Sequence, residues 1–490
     1  MPPEEKPAVP EGAEPIPERA LPTLDPNGQW TAQWRSSEPQ QAAPPARPTA
    51  EDPAYAPHDI APFAQPEAPP HVQPTADGQY EPEPAEGGKR GRKVLITLVA
   101  ALVLVAGVVT GQLLRPVPEP SIELSLPAAS HTFPGAAPAL PWPSGGQSAV
   151  AVEGLGTMGS AGGSQPIPTA SVAKVMTAYV ILRGHPLRPG EDGPEFAVSP
   201  QGLAELPGRR ARQESLLGIT PGQRLTERKA LEALMIISAN DVAHELARWD
   251  SGGNVQAFVA KMNEAARSLG MASTTYTDPS GYHAGTVSTA ADQVKLLTAA
   301  MKIPAFAETV GKRSYVPADG GPPRPGGNIL LGQYGVVGGK TGYTDRAGGN
   351  FVFAARKRVG GVPTTVVGAV MGQRTPGAPG SAMVAINAAQ RVVAAAGNAL
   401  VSATLAPAGR PIAHVDDGLG GKTPLVARTP LNVVGWPGLT VPLGVAGDPP
   451  HEAAPGERVG TVTAGAGRVP VSPSEPLEEP SLLSRLVRLG

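Results

Sequence analysis

Residues 169–179, TASVAKVMTAY, determine how the rest of the chain is interpreted. Two prolines precede the stretch and its apolar residues recur at helical spacing, which predicts a helix with Thr169 or Ser171 as its cap. Ser171 and Lys174 are three residues apart and therefore share one face of the first turn. A serine at a helix N-terminus beside a desolvated lysine is a candidate nucleophile with its base. The pattern is weak alone, because about one Ser-x-x-Lys is expected by chance in a chain of this length.

The composition narrows the function classes. Gly (60) and Pro (59) make up about a quarter of the 490 residues, so part of the chain is expected to be unpacked. The net charge of −2 gives no indication of nucleic-acid binding. The absence of cysteine excludes disulfides, thiolate metal sites and a thiol nucleophile. The eight histidines form no H-E-x-x-H pattern, so we expect neither a metal nor another cofactor.

The N-terminal third predicts a membrane anchor. Residues 1–93 are rich in Pro, Ala, Glu and Gln and are expected to be a disordered tail whose partner is unknown. Residues 94–114 form an uncharged apolar run long enough to cross a membrane. Four basic residues precede the run and only Arg115 follows closely, which predicts a signal anchor with the tail in the cytoplasm and the remainder outside. Residues 115–144 are Pro-rich and are expected to be a linker.

The remaining chain predicts two folded parts. Helices and strands alternate irregularly over 145–400, beginning with a hairpin at residues 147–159. Strands are predicted there at 329–335, 350–356 and 363–372, the runs ILLGQYG, NFVFAAR and PTTVVGAVMG. Residues 401–472 contain short β-like runs separated by Gly and Pro, which predicts a small all-β domain. Residues 473–490 form a tail with a possible amphipathic helix at its end.

Two further motifs carry polar residues in apolar surroundings. Ser238 and Asn240 interrupt two helical runs (LMIISANDVAHELA), where either could simply be a helix cap. Lys340, Thr341 and Gly342, followed by Tyr343, lie between predicted strands. A lysine and a threonine on a strand edge, with glycine where a ligand backbone must approach, suit a peptide that ends in a carboxylate.

The three motifs follow one another as Ser171-x-x-Lys174, Ser238-x-Asn240 and Lys340-Thr341-Gly342. Their order, gaps and settings resemble the penicillin-recognising serine enzymes. The surrounding sequences are most similar to low-molecular-mass D-alanyl-D-alanine carboxypeptidases, over roughly residues 145–400. This resemblance implies an α/β fold of the β-lactamase/transpeptidase type, in which helices sandwich an antiparallel sheet.

The resemblance also implies a mechanism. Ser171 would attack the carbonyl of the penultimate D-alanine of a peptidoglycan stem peptide, with neutral Lys174 as its base. Ser238 would relay a proton to the leaving amine, and Asn240 would hold substrate and Lys174. Lys340 and Thr341 would bind the terminal carboxylate. The backbone N–H groups of Ser171 and Tyr343 are expected to form the oxyanion hole, and β-lactams would acylate Ser171.

Two other functions remain open from the sequence. A class A β-lactamase shares the motifs but needs a second carboxylate for deacylation, and STTYTDPSGYHAG offers only Asp278. A non-catalytic β-lactam sensor or wall-binding protein would carry a degenerate site, against which the intact motifs argue. Gly348-Gly349-Asn350 departs from the family, which often has an aromatic residue there.

Overall fold

The structure is a computed structural model that describes residues 22–24, 30–32, 87–375, 377 and 380–487. The chain divides into two compact units, Met1–Arg115 and Pro116–Gly490. Each unit is described by itself.

The first unit contains one long helix. Strands β1 (Pro22–Leu24) and β2 (Trp30–Ala32) pair antiparallel, and helix α1 runs over Gly87–Leu114. Its segment Gly91–Leu114 contains an 18-residue window with a mean hydropathy of 2.7 and is long and apolar enough to cross a membrane. The predicted apolar helix is therefore present. The prediction of disorder for residues 1–93 falls largely outside the described residues.

The second unit is rich in β-strands, apart from a helical stretch between Thr226 and Val287. The strands that precede its third α-helix are β3 (Ser121–Leu124), β4 (Ser130–Thr132), β5 (Gln147–Val152), β6 (Gly156–Ala161), β7 (Ile167–Pro168), β8 (Glu195–Ala197) and β9 (Arg224–Thr226). The next six are β10 (Val287–Ser288), β11 (Ser314–Tyr315), β12 (Arg324–Pro325), β13 (Val336–Thr344), β14 (Gly348–Val359) and β15 (Val362–Gln373). The C-terminal strands are β16 (Val401–Ala406), β17 (Pro411–Asp416), β18 (Lys422–Val426), β19 (Leu431–Gly435), β20 (Thr440–Ala446), β21 (Gly460–Ala464) and β22 (Gly467–Pro473).

A 3₁₀ helix over Ala170–Ala173 leads directly into the first α-helix of this unit. The α-helices are α2 (Lys174–Gly184), α3 (Pro200–Ala211), α4 (Glu227–Ile236), α5 (Asn240–Asp250), α6 (Val255–Ser268), α7 (Ala290–Ala300), α8 (Pro304–Val310), α9 (Ala382–Ala399) and α10 (Leu482–Leu486).

A five-stranded antiparallel sheet forms the centre of the part of the second unit that precedes β16. Its strand order is β13-β14-β15-β5-β6, so β13 is an edge strand. Phe351 and Phe353 pack with α9 in one core cluster, while Val352 between them points to the opposite face and is equally buried. Both faces are thus covered, with α7 also contacting β5 and β15. The predicted α/β fold and the predicted hairpin at residues 147–159 are confirmed.

Helix α2 is central to the helical layer. It contacts α4, α5, α6, α7 and α8, and nine of its eleven residues are buried. Because it is surrounded on all sides, its first residue, Lys174, is carried into the protein interior rather than to the surface. Thr226 caps α4 by accepting a hydrogen bond from the backbone N–H of Lys229.

The strand predicted at 329–335 is absent, because these residues form turns. Gly332, Tyr334 and Gly335 have positive φ angles (83°, 52° and 78°), which an extended strand cannot contain. Leu330 and Leu331 are buried all the same, so the apolar run reflects packing of a turn. The edge strand begins one residue later than the predicted run ends, at Val336.

The C-terminal strands form the β domain predicted over 401–472, but the segment predicted as a linker contributes to it. The sheet order is β3-β17-β18-β22-β21-β20-β4, with β16 and β19 as a separate pair. Strand β3 pairs with β17, and β4 pairs with β20. Phe133, which follows β4, is only 3% exposed and lies in the core of this domain. The expected linker over 115–144 is therefore structured in part, and its prolines concealed two short edge strands.

The last described helix, α10, is short. It lies within the predicted 473–490 tail, and its Leu482 and Leu483 are 66% and 70% exposed. Residues 488–490 lie outside the described part of the chain.

Replacing Phe133 tests whether the segment before the five-stranded sheet belongs to the β domain. Phe133→Ala should lower the free energy of unfolding by about 3–5 kcal/mol, because it leaves a cavity in a closed core. Thermal unfolding of the detergent-purified chain provides the measurement. Glu119→Ala in the same segment is the control, since the Glu119 side chain is 94% exposed. Equal stability of the two variants would contradict the assignment of this segment to the domain.

Candidate active site

Lys174 is the most deeply enclosed polar group of the site. Its side chain is fully buried at the start of α2. Its Nζ lies 2.9 Å from Ser171 Oγ, 2.5 Å from Asn240 Oδ1 and 2.8 Å from the backbone oxygen of Ser280. The first two predicted motifs are thus in direct contact through one amine.

The electrostatics favour an uncharged Lys174. Burial lowers its pKa well below the usual value of a lysine, and the Lys340 charge lowers it further, against smaller opposite effects of nearby carboxylates. A neutral amine has two N–H groups and one lone pair. The oxygens of Asn240 and Ser280 can only accept, so they take the two N–H groups. The lone pair is left facing the Ser171 hydroxyl, which is the arrangement of a base beside a nucleophile.

Ser171 lies in the 3₁₀ turn that precedes α2. The turn brings its Oγ to Lys174 at the i, i+3 spacing expected from the sequence. The predicted cap is wrong: neither Thr169 nor Ser171 caps the helix with its side chain. Thr169 is fully buried and its hydroxyl is 3.3 Å from the backbone oxygen of Thr286, while the Ser171 hydroxyl is engaged by Lys174.

Ser238 and Lys340 form a second pair. Lys340 Nζ donates to Ser238 Oγ at 3.0 Å and to the backbone oxygen of Thr341 at 2.9 Å. Burial lowers the pKa of Lys340 to about 7. Ser238 has a φ of 61°, a left-handed conformation that is rare for serine, between α4 and α5. Such strain is commonly retained where a side chain must point in a functional direction.

The edge strand β13 approaches the Ser171 turn through Gly342. A Cβ atom added to Gly342 would lie 2.9 Å from the backbone N of Ser171 and 3.0 Å from that of Val172. Only glycine allows this approach. The Tyr343 hydroxyl donates to Asp345 at 2.6 Å and so is directed to its own strand end. The structure therefore brings all three sequence motifs together around the Ser171–Lys174 pair.

A small cleft adjoins the edge strand. Its lining includes Lys340, Thr341, Arg313 and Asn328. The amide N and O of Asn328 are buried with no hydrogen-bond partner. Basic and amide groups at a strand edge give this cleft the chemistry of a site for an anionic peptide end.

Comparisons with known proteins identify the family. The peptidase S11 family model, D-alanyl-D-alanine carboxypeptidase, matches residues 158–375. The D-alanyl-D-alanine carboxypeptidase of Streptomyces sp. strain K15 is 32% identical over 219 residues, which cover 41% of this chain and 72% of that protein. The chain belongs to the D-alanyl-D-alanine carboxypeptidase family.

Other members of the family are also similar. The D-alanyl-D-alanine carboxypeptidase DacB2 of Mycobacterium tuberculosis is 36% identical over 196 residues, 39% of this chain and 62% of the relative. A solved D-alanyl-D-alanine carboxypeptidase from Mycobacterium tuberculosis H37Rv has 31% identity and a TM-score of 0.44, covering 54% of this chain and 96% of that one. The chain thus spans less than two thirds of the length of some curated relatives.

The sequence did not reveal two groups that contact the motif residues. One is the backbone oxygen of Ser280, which accepts from Lys174. The sequence Asp278-Pro279-Ser280-Gly281, which is typical of a turn, was the only available signal. The other is Glu214, which accepts from Asn240 Nδ2 at 2.8 Å and lies in a stretch with no recognisable motif.

Possible metal ligands lie elsewhere in the described residues. Glu123, His414 and Asp416 have ligand atoms within 4.8 Å of one another in the β domain. The ammonium of Lys422 lies 3.1 Å from His414 Nε2 and 3.4 Å from Asp416, and so already supplies a positive charge to this cluster.

Gly342→Ala tests the close approach of β13 to the Ser171 turn. The added methyl group must displace backbone atoms, so the free energy of unfolding should fall by about 1–3 kcal/mol. Gly397→Ala in α9 is the matched control, because nothing lies within 4 Å of its Cβ position. There the same change should raise stability by about 0.5–1 kcal/mol. Calorimetric melting of both variants decides, and a stabilised Gly342→Ala would contradict the geometry.

Proposed function

We propose that the chain is a serine-type D-Ala-D-Ala carboxypeptidase that removes the terminal D-alanine from peptidoglycan stem peptides. The observation that carries the proposal is the buried Lys174 amine, whose Nζ lies 2.9 Å from the Ser171 hydroxyl oxygen. Membership of the D-alanyl-D-alanine carboxypeptidase family supplies the substrate class.

Acylation begins when Ser171 Oγ attacks the carbonyl carbon of the penultimate D-alanine and its proton passes to Lys174 Nζ. The peptide C–N bond then breaks, and the terminal D-alanine leaves with a proton on its amine. Ser238, which accepts a hydrogen bond from Lys340, is placed to relay that proton. Water subsequently hydrolyses the Ser171 ester and regenerates the enzyme.

Substrate binding uses the open edge of β13. An extended peptide can add to an unpaired sheet edge through main-chain hydrogen bonds. Its terminal carboxylate would meet Lys340 and Thr341, which line the adjoining cleft. Lys340, with a pKa of about 7, gains a stabilising partner when that carboxylate binds.

The backbone N–H groups of Ser171 and Tyr343 would stabilise the tetrahedral oxyanion. Gly342 supports this role, since its missing side chain lets β13 lie next to the Ser171 amide. A β-lactam presents a strained amide and a carboxylate to the same groups. It would acylate Ser171 without releasing a leaving amine, and is therefore an inhibitor of this site.

The apolar helix supports a location for the proposed reaction. The four basic residues before the apolar run favour an N-terminal tail in the cytoplasm and a catalytic unit that faces the cell wall. The long apolar helix within Gly91–Leu114 supports anchoring at the cell membrane. The substrate, a peptidoglycan stem peptide, is found on that outer side.

Ser171→Ala tests the proposal directly. Release of D-alanine from diacetyl-Lys-D-Ala-D-Ala should fall by at least about a thousandfold, because the nucleophile is removed. Covalent labelling by a fluorescent penicillin should be lost in parallel. Ser160→Ala is the matched control, since Ser160 is exposed on β6 at the opposite edge of the sheet from β13.

Three results would contradict the proposal. Labelling that persists in Ser171→Ala places the nucleophile elsewhere. Labelling of the wild-type chain without D-alanine release indicates a β-lactam sensor, whereas rapid turnover of penicillin without D-alanine release indicates a β-lactamase.

A further inference from the structure

Glu214 is a fully buried carboxylate between an arginine pair and the active site. Its side chain has no solvent exposure. Oε2 accepts from Arg209 at 3.1 Å, and Oε1 accepts from Arg212 at 3.0 and 2.7 Å. The remaining donor is Asn240 Nδ2, at 2.8 Å from Oε2. Both carboxylate oxygens thus meet guanidinium donors, and a carboxylate oxygen in such charge-assisted hydrogen bonds is the acceptor.

Asn240 needs such a partner because its amide has two unlike ends. With Oδ1 towards Lys174, the amide takes an N–H from the amine, and the lone pair of the amine faces Ser171. With Nδ2 towards Lys174, the amide would donate to that lone pair and occupy it. The backbone holds Asn240 in place, since its N–H donates to the oxygen of Ser215 at 2.8 Å, but it does not select between the two orientations.

We infer that Glu214 is a positioning residue for the proposed carboxypeptidase reaction, because its carboxylate orients the Asn240 amide and thereby leaves the Lys174 lone pair to Ser171. The inference rests on the proposed function of the Ser171–Lys174 pair. Glu214 itself touches neither substrate nor nucleophile. It acts through Asn240, one residue removed from the base.

The segment that carries Glu214 is hydrogen-bonded to α5, the helix that begins with Asn240. The carboxylate of Asp241 accepts from the backbone N–H groups of three consecutive residues, Leu217, Gly218 and Ile219. The backbone N–H of Glu214 donates to the oxygen of Arg209. Because these bonds fix both ends of the contact, the distance between Glu214 and Asn240 does not depend on a mobile loop.

Glu214 also affects the charge of Lys174. Its negative charge raises the pKa of Lys174, as do the charges of Asp278 and Asp241, while burial and Lys340 lower it. The neighbouring His244 adds no charge near neutral pH, because burial and Arg209 hold its pKa well below the usual value. Removal of the Glu214 charge therefore lowers the pKa of Lys174, so that the amine is neutral to lower pH.

Glu214→Gln separates these two effects in one pH profile. The variant should be acylated by a fluorescent penicillin about tenfold more slowly at the plateau, since a glutamine NH₂ group can turn the Asn240 amide around. At the same time, the acidic limb of the profile should move to lower pH. A role in folding alone would lower the yield of active protein without moving that limb.

Glu205→Gln is the matched control. Glu205 accepts from the same arginine, Arg209, at 2.8 Å, and from Arg248, but none of its hydrogen bonds involves Asn240. This variant loses an ion pair with Arg209 and should keep the wild-type pH profile and plateau. The full chain in detergent serves for all three proteins, with thermal melting recorded alongside.

The outcomes distinguish the two claims. A lower plateau with an acid-shifted limb in Glu214→Gln, against an unchanged Glu205→Gln, supports the positioning role. An unchanged limb in Glu214→Gln, or an equal shift in both variants, overturns it while the wild-type acylation still stands. A wild-type chain that is not acylated and releases no D-alanine contradicts the proposed function, and the role of Glu214 with it.

Discussion

The burial of Lys174 is the constraint on which the active site depends. A lysine with no solvent exposure is stable in a protein interior only when it is neutral or well compensated. In this fold α2 is enclosed by five other helices, which removes water from the amine and keeps its pKa low. Two oxygens, from Asn240 and Ser280, then accept its N–H groups. Burial lowers the pKa of Lys174, as the proposed base requires, and the two acceptors leave its lone pair to Ser171.

The other parts of the site follow from where the sheet ends. Strand β13 is an edge strand. Its residues Lys340, Thr341 and Gly342 can therefore lie beside the Ser171 turn and still be open to an incoming peptide. Ser238 bridges towards this strand through Lys340 and not through Lys174. The site thus contains two hydrogen-bonded pairs. We propose proton abstraction for Ser171 with Lys174, and substrate binding and proton return for Ser238 with Lys340.

Much of this arrangement could be predicted from the sequence. The apolar spacing of α2, the interruption at Ser238 and Asn240, and the Lys340-Thr341-Gly342 motif are local signals, and each is found in the setting predicted for it. The segment at 329–335 was predicted wrongly, because a buried apolar run with positive-φ residues resembles a strand in its composition. Strands β3 and β4 were missed because short, Pro-flanked edge strands become visible only through their partners far along the chain.

Contacts across long sequence distances were beyond the reach of local patterns. Glu214 meets Asn240 only after α3 and α5 have packed, and nothing in the stretch QES distinguishes it from a surface glutamate. The Ser280 oxygen is a backbone group, so the residue type at this position does not indicate its contact with Lys174. Both groups belong to the hydrogen-bond network around Lys174. The motifs can therefore be recognised from the sequence, whereas the groups that hold the motif side chains in place cannot.

The protonation state of Lys174 in the resting protein is the most direct test of its proposed role as the base. Selective ¹³Cε labelling of lysine, with the Lys174 resonance assigned from Lys174→Ala, allows its titration to be followed by NMR. We expect the Lys174 amine to lose its proton well below 10.5, the ordinary pKa of a lysine. A Lys174 that stays protonated up to that ordinary value would contradict its role as the base.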